Sequence, residues 1–100
     1  MAKKVKTSPF DAADYINTPE DVAAFLQAAF DEAFEANDPG FIAHALGIVA
    51  RSKGMTEIAD KAGRSREQLY KSLSLGGNPT LATTMSIMRE LGVKLTAEAA

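Results

Sequence analysis

The chain has 100 residues, of which 46% are hydrophobic and 24% charged, and its formal net charge is −2, all ordinary values for one globular domain. It has no cysteine, so disulfides, thiolate metal sites and cysteine nucleophiles are excluded. Because no apolar run approaches the roughly 20 residues of a membrane span and no signal core follows the basic start, we expect a cytoplasmic protein with no membrane partner.

The first predicted helix follows an N-terminal arm, residues 1–17, that lacks a long periodic pattern and is expected to be partly disordered. Thr18 and Pro19 mark its start, because a hydroxyl side chain caps a helix well and proline suits the first helical position. The helix runs to about Asn37, with an apolar face at helical spacing formed by Val22, Phe25, Leu26, Ala29, Phe30, Ala33 and Phe34. We expect the phenylalanines of this face, and Phe41, in the core, unless one or two of them anchor an interface.

The second and third predicted helices show similar start and stop signals. Asp38, followed by proline, caps a helix that runs to about Lys53 and ends at Gly54. Thr56 caps a short third helix that ends before Gly63, since glycine readily adopts the backbone conformations that break a helix.

The last two predicted helices lie on either side of a glycine-rich loop. Ser65 caps the fourth helix, which ends by Ser74, and a glutamate or glutamine in its first turn can reach back toward the cap. Thr80 caps the fifth helix, which Gly92 stops. Its apolar positions are Leu81, Met85, Ile87, Met88 and Leu91.

Five helices with short connections predict an all-α fold, with a single helical domain over residues 18–97. Residues 93–96 alternate apolar and polar side chains, which predicts a short C-terminal strand. A lone strand is marginally stable, so we expect it to pair with the same strand of a second copy, which predicts a homodimer.

Charge is unevenly distributed along the chain. Residues 11–50 contain eight acidic residues and no lysine or arginine, whereas residues 51–73 contain six basic and three acidic ones. This division indicates that the basic segment faces phosphate and that the acidic half faces a cationic partner. Two solvated faces of one domain are the alternative interpretation.

The basic segment also has the pattern of a helix-turn-helix over residues 55–73, in which the second helix lies in the DNA major groove. Ala59 is the small residue required where the two helices cross, and Gly63 supplies the positive φ of the turn. The apolar residues expected to bury both helices are Ile58, Ala62, Leu69 and Leu73.

Residues 55–63, Met-Thr-Glu-Ile-Ala-Asp-Lys-Ala-Gly, resemble the first helix and turn of Cro/phage-repressor-type domains. Arg64 and Ser72 depart from that pattern at positions where apolar residues are usual, and both departures bear on the depth and tilt of the second helix. The resemblance implies a five-helix domain of this type with an N-terminal helical extension.

A wider resemblance covers about residues 10–97. Its most specific parts are Ser-Arg-Glu-Gln-Leu-Tyr-Lys-Ser-Leu-Ser at 65–74 and Gly-Asn-Pro at 77–79. These segments resemble the addiction-module antidote family, HigA-like antitoxins with an Xre/Cro-type DNA-binding domain. The resemblance implies an antitoxin encoded beside a RelE/ParE/HigB-like toxin, which it neutralises, while repressing its own operon as a dimer or with toxin bound.

The second helix of the motif supplies the candidate DNA contacts. Arg66, Gln68 and Lys71 are candidates for base edges, because arginine suits guanine and glutamine suits adenine. Ser65 caps the helix and can donate to a phosphate, and Tyr70 contacts phosphate or a thymine methyl unless it packs at the domain edge. The candidates for backbone phosphate are Lys53, Lys61 and Arg64.

The acidic half supplies the candidate toxin contacts, Asp31, Glu32 and Glu35, since toxins of the implied class tend to be basic. A solubilising face is the alternative. No enzyme, metal site or cofactor is predicted, because the only histidine, His44, is flanked by alanines and no phosphate-binding loop is present. Two other functions remain open: a stand-alone prophage repressor, and a protein-interaction module that has lost DNA binding.

Overall fold

A computed structural model describes residues 16–74 and 76–100, and within these ranges the chain forms five α-helices and no β-strand. The helices in chain order are α1 (Pro19–Ala36), α2 (Pro39–Lys53), α3 (Met55–Lys61), α4 (Arg66–Ser72) and α5 (Leu81–Glu90). The predicted all-α class is confirmed for this part of the chain. Most of the predicted N-terminal arm lies outside the described residues.

Three of the five helices have the predicted capping residue directly before their first residue. The hydroxyls of Thr18, Ser65 and Thr80 accept the backbone N–H three residues later at 3.1, 3.0 and 3.0 Å. These residues share an extended backbone with ψ between 153° and 162°, which directs the side-chain oxygen toward the first turn.

The predicted caps of α2 and α3 have different outcomes. Asp38 is the N-cap residue of α2, as predicted, but its side chain makes no cap hydrogen bond, because its ψ of 84° differs from the extended value of the three capping residues. The predicted cap of α3 is wrong. Helix α3 begins at Met55, one residue before the predicted cap Thr56, and only Gly54 separates it from α2. Met55 is buried, so its place in the core fixes this start.

All five helices contribute to one hydrophobic core. Helix α1 packs mainly on α2, while α3 packs against α2, α4 and α5. The largest fully buried side chains are Val22, Leu26, Leu46, Val49, Leu69, Leu73 and Ile87. The core therefore fixes α4 through α3 and leaves one side of α1 exposed to solvent.

The core position predicted for Phe34 is wrong, and two apolar residues of α5 are also exposed. The buried stripe of α1 is Val22, Leu26, Ala29 and Ala33. Phe34 lies beside that stripe and is 73% exposed, and on α5 Leu81 is 66% and Met85 45% exposed. Phe25, Phe30 and Phe41 pack partly buried against the core.

The strand predicted for residues 93–96 does not form in the described chain. Val93 donates its N–H to Met88 O at 3.0 Å and so completes the end of α5, and the residues after it have no regular structure. A strand needs a neighbouring strand for its hydrogen bonds, and the described residues supply none. Pairing between two copies stays a prediction.

Candidate functional site

The α3–α4 unit, residues 55–72, contains two seven-residue helices joined by a tight turn. Gly63 in this turn has φ 71°, a conformation that favours glycine. The turn is closed by hydrogen bonds from Gly63 N to Asp60 O at 3.2 Å and from Arg64 N to Ala59 O at 2.9 Å. Ala59 is buried, as the predicted close approach of the two helices requires.

Close backbone contacts hold the C-terminal end of α4. A Cβ at Gly47 of α2 would lie 2.5 Å from the carbonyl oxygen of Leu73, and one at Gly77 would overlap the carbonyl oxygen of Ser72. Leu69 is the one fully buried residue within α4. The helix is therefore positioned by its inner side, and most of its surface remains exposed to solvent.

A reciprocal hydrogen-bond pair closes the N-terminal end of α4. Ser65 Oγ accepts from Gln68 N at 3.0 Å, and Gln68 Oε1 accepts from Ser65 N at 3.1 Å. Adenine recognition by glutamine uses both the amide oxygen and the amide nitrogen. The predicted base contact of Gln68 therefore requires its oxygen to leave the cap, and that contact stays a prediction.

The solvent-facing side of α4 carries Arg66, Tyr70 and Lys71, all exposed. The Arg66 guanidinium lies 5.4 Å from the centroid of the Tyr70 ring, and its Nη2 approaches the phenol oxygen at 3.5 Å. This cation–π contact orders both side chains one turn apart. The structure thus brings together three of the residues predicted to contact DNA.

Arg64 is attached to α5. Its Nε donates to Thr83 Oγ1 at 3.1 Å, and the same oxygen accepts the hydroxyl of Thr80 at 2.9 Å. Thr83 is buried, so this hydrogen-bond network satisfies a hydroxyl inside the protein. Sequence reasoning missed the pairing because Arg64 and Thr83 are 19 residues apart and neither position carries a local signal.

The two lysines predicted to contact phosphate both have partners within the protein. Lys53 donates to Asn17 O at 3.2 Å beside the start of α1. Lys61 pairs with Glu57 at 3.4 Å and with Glu90 at 4.0 Å. An exposed ion pair such as Lys61–Glu57 stabilises a fold by about 0–1 kcal/mol, so Lys61 can exchange partners at small cost.

The first turn of α1 has a second reciprocal cap, and this one is charged. Asn17 N and Thr18 N donate to Asp21 Oδ2 at 3.1 and 3.2 Å. These backbone hydrogen bonds hold the pKa of the Asp21 carboxyl below its usual value, and the nearby charge of Lys53 acts weakly in the same direction.

The three predicted toxin contacts lie on the exposed part of α1. Asp31 accepts from Gln27 Nε2 at 2.9 Å. Asp31 and Glu35 border a groove that Glu32, on the same helix, does not line. The structure therefore separates Glu32 from the other two.

The described residues contain no cluster of three or more His, Cys, Asp or Glu able to hold a metal ion. His44 is half-buried, with its ring centroid 6.1 Å from that of Phe41. In the same ranges, no helix has the length and apolar character needed to cross a membrane.

Comparisons with known proteins cover almost the whole chain. A family model described as "probable addiction module antidote protein" matches residues 6–99. An uncharacterized protein of Haemophilus influenzae is 40% identical over 85 residues, which is 85% of this chain and 84% of that protein. No solved structure matches.

Proposed function

This chain belongs to the family of probable addiction module antidote proteins, and we propose that it represses its own operon through the α3–α4 unit while neutralising its toxin. Membership supports an antitoxin role with a toxin as partner, and an antidote protein is not an enzyme. The proposal adds that the toxin is RelE/ParE/HigB-like and that the antitoxin binds double-stranded operator DNA in the cytoplasm.

The observation that carries the DNA-binding proposal is the exposed side of α4. A short helix after a glycine turn, fixed by Leu69 on its inner side and bearing Arg66, Tyr70 and Lys71 on its outer side, suits insertion into a major groove. Glu67 is the one acidic residue within α4. Glu67 is also exposed, so with Arg66 and Lys71 the helix has a net charge of +1, the sign that attracts DNA.

Roles on this surface follow from the contacts. Arg66 and Lys71 read base edges, and Tyr70 orients Arg66 or contacts a thymine methyl. Ser65 and Arg64 bind phosphate, because both lie at the start of α4 and retain donors beyond their internal bonds. Lys53 and Lys61 add phosphate contacts after exchanging their internal partners.

A homodimer fits an operator with two half-sites, since a two-fold protein reads a two-fold DNA sequence. Light scattering at micromolar concentration tests for the homodimer, and a measured mass equal to one chain contradicts it.

The test of the proposal is fluorescence anisotropy on a DNA duplex taken from upstream of the protein's own gene. Arg66→Ala is expected to weaken binding by about tenfold, because a good bidentate base contact discriminates by about 1–3 kcal/mol. Arg89→Ala, an exposed arginine on α5, removes the same charge away from α4 and serves as the matched control.

The pattern of loss distinguishes the functions. If Arg66→Ala loses affinity only for the cognate sequence, Arg66 reads bases. If it loses affinity equally for all sequences and its binding depends less steeply on salt, Arg66 contacts phosphate. Absence of wild-type binding at low salt contradicts DNA binding and favours a protein-interaction module. A gene neighbourhood without a small basic toxin favours a stand-alone prophage repressor.

A further inference from the structure

A groove of about 1150 Å³, here called the α1–α5 groove, lies between α1, α5 and the residues that follow α5. Its apolar lining includes Phe30, Phe34, Met85 and Val93. None of the described residues that line it belongs to α3 or α4. The groove is therefore a second surface, separate from the exposed side of α4.

Apolar side chains remain exposed along this groove. Phe34 is 73% and Met85 45% exposed, while Phe30, one turn before Phe34, is packed partly against the core. A contiguous exposed apolar patch on a small protein commonly marks a site of interaction with another molecule. Phe34 has the size and exposure of an interface anchor.

The charge around the groove indicates what kind of partner fits. Helix α1 carries five acidic residues and no lysine or arginine. Among the described residues, four carboxylate side chains line the groove (Glu20, Asp31, Glu35 and Glu98), against two basic side chains, Arg89 and Lys94. This excess of negative charge repels a second copy of the same surface and attracts a cationic one.

We propose that the α1–α5 groove binds an amphipathic, lysine- or arginine-flanked helical segment of the toxin, an inference that rests on the proposed antitoxin function. Apolar residues of that segment cover Phe34 and Met85, and its basic residues meet Asp31 and Glu35. Glu32 does not line the groove and makes no such contact. Toxin and DNA then occupy different surfaces and can be bound at the same time.

The chain offers a matched control for each contact. Phe34→Ala removes the exposed aromatic of the groove, and Leu81→Ala removes an apolar residue of similar exposure that does not line it. Glu35→Lys reverses a charge in the groove, and Glu32→Lys makes the same reversal three residues away on the same helix. All four side chains are exposed, and circular-dichroism melting verifies that each variant folds like the wild type.

The affinity for the toxin is measured by isothermal titration calorimetry of the full-length protein with the purified product of the adjacent reading frame. Phe34→Ala and Glu35→Lys are each expected to raise Kd by about tenfold or more, as truncation of an interface anchor does. Leu81→Ala and Glu32→Lys are expected to leave Kd within about threefold of the wild type.

The outcomes separate this inference from the proposed function. A wild type that fails to bind the adjacent gene product contradicts the antitoxin proposal itself. A wild type that binds, with groove variants no weaker than their controls, overturns the groove assignment alone. Light scattering provides one more test. If the wild type is a dimer and Phe34→Ala is a monomer, the groove binds a second copy of the chain, and the inference is overturned.

Discussion

Helices α1 and α4 begin with the same reciprocal cap but complete it with different chemistry. At α1 the returning side chain is the carboxylate of Asp21, and at α4 it is the neutral amide of Gln68. The hydrogen-bond geometry is alike, yet only the first cap changes with protonation. The surface proposed to meet phosphate thus begins with a cap that adds no negative charge.

The two helices also differ in what keeps them folded. Helix α1 has 18 residues and four buried positions, whereas α4 has seven residues and one. A seven-residue helix is unstable in isolation, so α4 depends on its contacts with the rest of the protein. The helix proposed for DNA recognition is therefore fixed by a few contacts, each of which can be removed by a single substitution.

Removing the one buried side chain of α4 should destabilise the protein most. Leu69→Ala removes a side chain that is 1% exposed and should lower the free energy of unfolding by about 2–5 kcal/mol. A chain of this length has about 5–15 kcal/mol in total, so thermal melting should show a large drop in Tm. Phe34→Ala on the exposed side of α1 should change stability by less than about 0.5 kcal/mol. Equal losses of stability in Leu69→Ala and Phe34→Ala would contradict the proposed difference between the two helices.

A smaller loss is expected where α2 meets the end of α4. Gly47→Ala places a Cβ against the Leu73 carbonyl oxygen, a clash costing about 1–3 kcal/mol that alanine's helix propensity offsets by about 1 kcal/mol. Gly40→Ala in the same helix meets its nearest atom at 3.4 Å and should be neutral or stabilising. Urea unfolding of the two variants measures the difference. A Gly47→Ala protein as stable as Gly40→Ala would show that this approach of α2 does not position α4.

The weakest effect is a difference between the two caps in how their contribution to stability depends on pH. Because its pKa is lowered by folding, the Asp21 carboxyl contributes stability above its unfolded pKa of about 4, and this contribution is lost as pH falls through the folded value. Asp21→Asn should therefore be less stable than wild type at neutral pH and equal to it in acid. Gln68→Glu should introduce a similar acid-sensitive contribution at α4. Urea unfolding across pH measures both, and a pH-independent difference between wild type and Asp21→Asn would contradict the assignment.

The sequence predicted those helix starts that are set by a hydrogen bond between residues close together in the chain. Thr18, Ser65 and Thr80 each cap a helix through an amide three positions away, so the information lies within one turn. The positive φ of Gly63 was predictable for the same reason.

Features set by distant contacts were not predictable. The link from Arg64 to Thr83 and the approach of Gly47 to Leu73 join residues far apart in sequence. The exposure of Phe34 was missed because the apolar face of α1 is wider than the stripe that α2 covers. The alternation at residues 93–96 lacked the neighbouring strand that such a pattern needs.

Helix α5 belongs to both surfaces. Thr83 on it bonds Arg64 at the start of α4, and Met85 and Met88, within the next two turns, line the α1–α5 groove. Under the two proposals, thermodynamic linkage requires that any factor by which toxin changes the affinity for DNA equals the factor by which DNA changes the affinity for toxin. A ten-residue helix that contributes to both surfaces offers a direct physical route for any such coupling.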